Sequence, residues 1–137
     1  MALKKTQLLD VTSVTGIATV GILTVGVTQT AGGVGIASTT YLRGVIAHST
    51  GLSTSSCGLY IYPDGVDATG YAHTSYRLLK IDISPNETYF FETPYPIVMT
   101  HGNKLVVEIN ASAASVGGLN SGIGTMINFQ VLGDTDI

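Results

Sequence analysis

"SYRLLKIDISPNETYFFETPYPIVMTHGNKLVVEINASAAS", residues 75–115, decides the fold. Leu79, Ile81 and Ile83 alternate with Lys80 and Asp82, the period-two pattern of a strand with one buried face. "SPNE" at 84–87 follows as a turn, with Pro85 at the bend. Residues 88–91 read as a short strand. Pro94 and Pro96 flank Tyr95 and demand extended or turned backbone, and 96–99 is a brief apolar strand. "THGN" at 100–103 is a second turn. Leu105, Val107 and Ile109 then alternate with Val106, Glu108 and Asn110. Strand, turn, strand, turn, strand is a meander whose regularity serves a core. Leu105 and Ile81 are expected to point inward, and truncating either to Ala is expected to cost about 2–5 kcal/mol.

The rest of the chain follows the same grammar. Residues 7–11 read as a short extended arm. Residues 17–28 are a β-branched run broken by Gly21 and Gly26, hence one bent strand or a hairpin. "TAGGVGIAST" is a turn. In the strand over 40–48, Leu42 and Ile46 fall on one face, with Arg43, Val45 and Ala47 on the other. "STGLSTSS" is a polar loop. The strand over 58–62 is stopped by Pro63-Asp64-Gly65, where Pro sets φ and Gly permits φ > 0. After "VGGLNSGIG", Ile127, Phe129 and Val131 alternate with Asn128 and Gln130. Seventeen Gly punctuate the chain, and no window holds apolar residues at helical spacing over three turns. The reading is all-β: a single antiparallel β-sandwich of about eight strands with jelly-roll or Greek-key wiring. Its domain organisation is an extended N-terminal arm over 1–16 and a β-sandwich domain over 17–137.

A chain of 137 residues is one domain by length. Its charged fraction is 11%, against about 25% in an average soluble domain. A surface made instead from Thr, Ser, Gly and Asn suits contact with other protein. Six Lys and Arg stand against nine Asp and Glu, a net charge of −3 with no long run of either sign. That excludes the basic patch needed to neutralise nucleic-acid phosphates. At the N-terminus, Asp10, Thr12, Ser13 and Thr15 interrupt the apolar stretch a signal peptide needs. Residues 17–27 are too few to span a bilayer as a helix. No export signal and no membrane association are expected.

Candidate chemistry is sparse. Cys57 is the one cysteine and reads as a small buried apolar residue. His48, His73 and His101 lie in three separate segments, without the spacing of a metal pair. Asp64 and Asp67 share a loop, but the closing Glu of a calcium loop is missing. In "GLSTSSCG", Gly51 precedes Ser53 correctly for a nucleophile elbow, yet Ser55 occupies the second Gly position. "GGVGIAS" has Gly33 and Gly35 but Ser38 where a dinucleotide loop needs its third Gly. "GLNSGIG", 118–124, lacks the Lys of a phosphate loop. No catalytic residue, cofactor or metal is expected. Seven Tyr and no Trp suit core or protein-interface packing, since tyrosine offers large contact area at low entropy cost. The residues expected to meet a partner are Tyr60 and Tyr62, together with Leu8, Leu9 and Val11 of the arm, which would add a strand to a neighbour's sheet edge.

Residues 76–131, about two-fifths of the chain, resemble a type of small β-sandwich common among virion proteins of tailed bacteriophages. Those chains read as a "YLLKDV"-like strand, a Pro-centred turn, "ETL", a "P-L-V-L" strand, a "G-D-K-L-V-V" strand running to "A-S-A", and a closing strand. The matching residues are "YRLLKIDISPNETYFFETPYPIVMTHGNKLVVEINASAAS". The first 50 residues depart from the pattern: "TAGGVG" stands where the family often has "VPAG". The resemblance implies a non-enzymatic virion subunit, commonly a trimer, assembled in the host bacterial cytoplasm. A head decoration or cement protein contacting the major capsid protein is the leading expectation. A tail, neck or fibre component that binds a receptor or glycan is the alternative. A small hydrolase is a remote third.

Overall fold

β-Branched and aromatic residues at alternate positions favour pleated backbone, and the computed structural model is built almost wholly from it. It describes residues 3–15, 18–29, 35–37, 39–52, 54–66, 73–111 and 126–136. Among these are ten strands: β1 Leu3–Thr15, β2 Ala18–Thr24, β3 Val27–Gln29, β4 Gly35–Ala37, β5 Thr40–Ser49, β6 Ser55–Tyr62, β7 Arg77–Ile83, β8 Thr88–Met99, β9 Lys104–Ala111 and β10 Met126–Asp136. A single 3₁₀ turn, Thr74–Tyr76, precedes β7.

Sheet A has the order β1-β10-β5-β8, sheet B the order β2-β9-β6-β7, and β3-β4 is a separate hairpin. All the pairings are antiparallel. β1 pairs with β10, β2 with β9, β5 with β8 and β6 with β7, so the chain is a nested hairpin rolled over itself. Eight strands in two sheets with this wiring form a jelly roll. Val14, Leu42, Val45, Ala47, Ile127, Phe129 and Val131 from sheet A meet Cys57, Leu59, Ile83, Leu105, Val107 and Ile109 from sheet B in one core. Leu105 is buried, as its alternation requires, and Ile81 is half-buried against the same core.

Three turns carry the chemistry their residues dictate. Glu87 N–H donates to Ser84 O at 3.0 Å across Pro85-Asn86, with Asn86 at φ 64. Asn103 N–H donates to Thr100 O at 3.0 Å across His101-Gly102, with Gly102 at φ 86. Val66 N–H donates to Pro63 O at 3.3 Å across Asp64-Gly65, with Gly65 at φ 86. In each, Asn or Gly occupies the position that needs φ > 0.

Four expectations come out differently. Residues 88–91 and 96–99 are ends of one strand, β8; its ladder runs from Gly44↔Glu92 to Leu42↔Ile97, so residues 93–96 form an excursion at the sheet edge. The β-branched run over 17–28 splits between sheet B and the β3-β4 hairpin. On β5, Leu42, Val45 and Ala47 face the core while Arg43 is exposed and Ile46 half-buried. The ladder slips at Gly44, and an extra residue in a strand inverts the alternation beyond it. Finally, the residues read as an arm form β1, an edge strand of the sandwich itself. It pairs from Leu3↔Asp136 to Thr15↔Met126, and Val14 lies inside the core.

Candidate interaction surface

Once alternate residues of sheet A enter the core, the others define its outer face. β1 contributes Val11 and Ser13, β10 contributes Asn128, Gln130 and Leu132, β5 contributes Arg43, Ile46 and His48, and β8 contributes Thr88, Phe90 and Glu92. Ile46 pairs with Phe90 and lies diagonal to Leu132, which pairs with Gly44, so a short apolar row runs from β8 to β10, with Gln130 beside it. Phe90 is 60% exposed, Val11 58% and Leu132 37%. Gly44, Ile46, Phe90 and Leu132 line a recess of about 250 Å³.

Polar groups ring this row. At one end Ser13 donates to Asn128 Oδ1, and His48 Nδ1 and Thr88 Oγ1 lie 2.7 Å apart. At the other, Arg43 Nε donates to Asp134 Oδ2 at 2.7 Å. Asp134 is buried, and the guanidinium supplies the charge-assisted bond a buried carboxylate requires. Beyond it the 93–96 excursion carries Tyr95, 84% exposed. The face thus has an apolar centre with hydrogen-bonded groups at both ends.

The outer face of sheet B is different. Tyr60, Tyr62 and Val106 form a second small core, all fully buried, with Val66 against it. The Tyr60 ring lies over Gly58, where a Cβ would come within 3.0 Å of it. Its hydroxyl donates to Glu108 Oε1 at 2.9 Å. Burial first, then that carboxylate, pushes the Tyr60 phenol up to about 12. The Tyr62 hydroxyl accepts from His73 N–H at 2.8 Å, and its ring meets His73 and Tyr76 at 5.3 and 5.6 Å.

These placements separate the five residues expected to meet a partner. Val11 stands on the exposed face of sheet A. Leu8 is half-buried against the core, and Leu9 is a β1 residue paired with Val131. Tyr60 and Tyr62 are on the outward side of β6 as their alternation requires, but fully buried beneath their own chain, so neither ring offers surface. The histidines are dispersed: His48 bonds Thr88, His73 packs on Tyr62, and His101 Nδ1 lies 3.0 Å from Gly26 O. Among the described residues no group of three His, Cys, Asp or Glu side chains is placed to hold a metal ion. Cys57 is buried; burial and then the Glu108 charge push its thiol up to about 12. Ser55 is buried on β6. Ser53, Asp67, Gly33, Ser38 and "GLNSGIG" lie outside the described residues.

Phe90, Ile46 and Leu132 escaped the sequence reading. "TYFFE" is aromatic on both faces, so alternation could not show that Tyr89 and Phe91 turn in while Phe90 turns out. Compared with protein-family models, with curated protein sequences and with solved structures, the chain finds no match in any of the three.

Proposed function

We propose that this chain is a non-enzymatic structural subunit of a phage particle, a capsid decoration or cement protein that stabilises the head lattice through protein–protein contacts. The observation that carries the reading is the outer face of sheet A. A charged fraction of 11% leaves little to keep this face apart from other protein, and its centre is apolar. The jelly-roll wiring supports the same reading, because it leaves one face of sheet A outside the core. Size-exclusion chromatography with light scattering and co-sedimentation with purified capsids test it. The expected result is an oligomer, a trimer by the resemblance, that binds capsids and loses binding on Phe90→Asp with its circular dichroism unchanged. A strict monomer that ignores capsids overturns it.

A second reading, a receptor- or glycan-binding piece of a tail or fibre, is favoured by Tyr95, almost bare on its excursion. Glycan-array binding that disappears on Tyr95→Ala would establish it, and an array with no signal would remove it.

A further inference from the structure

Each sheet of a sandwich has two edges, and every edge strand presents unpaired N–H and C=O groups. The edges are β1 and β8 in sheet A and β2 and β7 in sheet B. Those of β1 and β2 are broken by register shifts, and β8 carries the excursion with Pro94 and Pro96, neither of which has an N–H. β7 pairs with β6 without a break from Leu79↔Leu59 to Ile83↔Ser55, and among the described residues its other edge has no strand beside it.

The sequence of that edge is Leu79-Lys80-Ile81-Asp82-Ile83. Laid antiparallel against a second copy about a two-fold axis through Ile81, it matches itself. Ile81 meets Ile81 of the second copy, Leu79 meets Ile83, and Lys80 meets Asp82 twice. The apolar residues fall on the core face of both copies and the charged ones on the outer face. Any register centred on Lys80 or Asp82 sets like charges opposite each other, and directly opposed like charges destabilise a ladder. A centre between residues would oppose inward to outward side chains. Registers centred on Leu79 or Ile83 oppose no like charges but give neither Lys80 nor Asp82 an opposite charge, so the charges favour the one centred on Ile81. Lys80 and Asp82 are exposed, and among the described residues the ion pair formed is Arg43–Asp134, which leaves both free of an ionic partner there. Leu79 and Ile81 are half-buried, so a neighbouring strand would cover what they still expose. Self-pairing of β1 over 3–7 would instead oppose Lys5 to Lys5, and β2 carries no charge to set a register.

We infer that β7 is a homophilic docking edge: two copies join β7 to β7 antiparallel, centred on Ile81, fusing two four-stranded sheets into one of eight. The contact is isologous and closes at two copies. If another face builds a trimer, this edge joins one trimer to another. The inference does not rest on the virion reading, because the doubling needs no capsid.

Sedimentation equilibrium of the full chain tests it through two charge reversals. The expected result is a doubling of mass with a Kd no weaker than about 1 mM. Lys80→Asp sets a second carboxylate opposite Asp82, and Asp82→Lys sets a second ammonium opposite Lys80, so each alone should weaken the doubling at least about tenfold. The double variant Lys80→Asp/Asp82→Lys should restore it. Mixing the two single variants should give a heterodimer that neither forms alone. Amide exchange of β7 should slow as the wild-type protein is concentrated and stay fast in the single variants. Absence of doubling in the wild type, or a doubling that ignores the single reversals, or one that the double variant does not recover, overturns the inference. Capsid binding, measured separately, stands or falls without it.

Discussion

Leu105 and Ile81 show how position in a sheet sets the value of the same kind of side chain. Leu105 is on β9, flanked by β2 and β6, and is 1% exposed. Leu105→Ala leaves a cavity that neighbouring strands cannot close, and should cost about 3–5 kcal/mol. Ile81 is on an edge strand and half-buried, so its truncation removes less buried area and the edge relaxes around it. Ile81→Ala should cost about 1–2 kcal/mol, below the 2–5 kcal/mol expected from alternation alone. Denaturant melts of both variants check this, and equal losses would mean that β7 is covered in the isolated chain.

At the level of elements, β1 distinguishes a free arm from a structural strand. A free arm can be deleted with the sandwich intact. β1 supplies Val14 to the core and the outer ladder to β10, so removing residues 1–16 strips β10 and leaves it as a long edge holding Ile127, Phe129 and Val131. Such an edge invites aggregation. The truncated chain should be insoluble, or lose its cooperative thermal transition by circular dichroism. A truncation that melts like the full chain would restore the arm. The bulges of β1 fit this role, because extra residues twist an outer strand and discourage further pairing.

For the whole molecule, sheet B ties an inner core to a small outer one, and each contains an ionisable group whose charged form the fold disfavours. The Cys57 thiol moves from 9.0 to about 12, and the Tyr60 phenol from 10.0 to about 12. Above pH 9 the unfolded chain releases the thiol proton that the folded chain retains, and above pH 10 the same holds for the phenol. The unfolded state then binds fewer protons, so stability falls as pH rises. The contribution is complete below pH 9 and is lost progressively toward about 12. Urea midpoints should decline across this window. Cys57→Ala should delay the decline relative to its own neutral-pH midpoint, and Tyr60→Phe should reduce its later part. A midpoint independent of pH up to about 12 would contradict both burials.

Alternation in 79–83, 105–109 and 127–131, with Pro, Asn and Gly at the turns, was enough to establish an all-β sandwich and the inward faces of β7, β9 and β10. The period of a strand is a local property, and local residues state it. The same residues could not state which strands would be neighbours. Leu3 pairs with Asp136 and Ala18 with Ile109, contacts that exist only once the nested hairpin has rolled up. Only the tertiary structure therefore turned the N-terminal arm into β1, reversed Ile46 through the slip at Gly44, and buried Tyr60 and Tyr62 under a second core. It alone left Phe90, Leu132 and the β7 edge facing outward. Exposure is decided by what lies above a residue, and in a jelly roll that is chain from far away in the sequence.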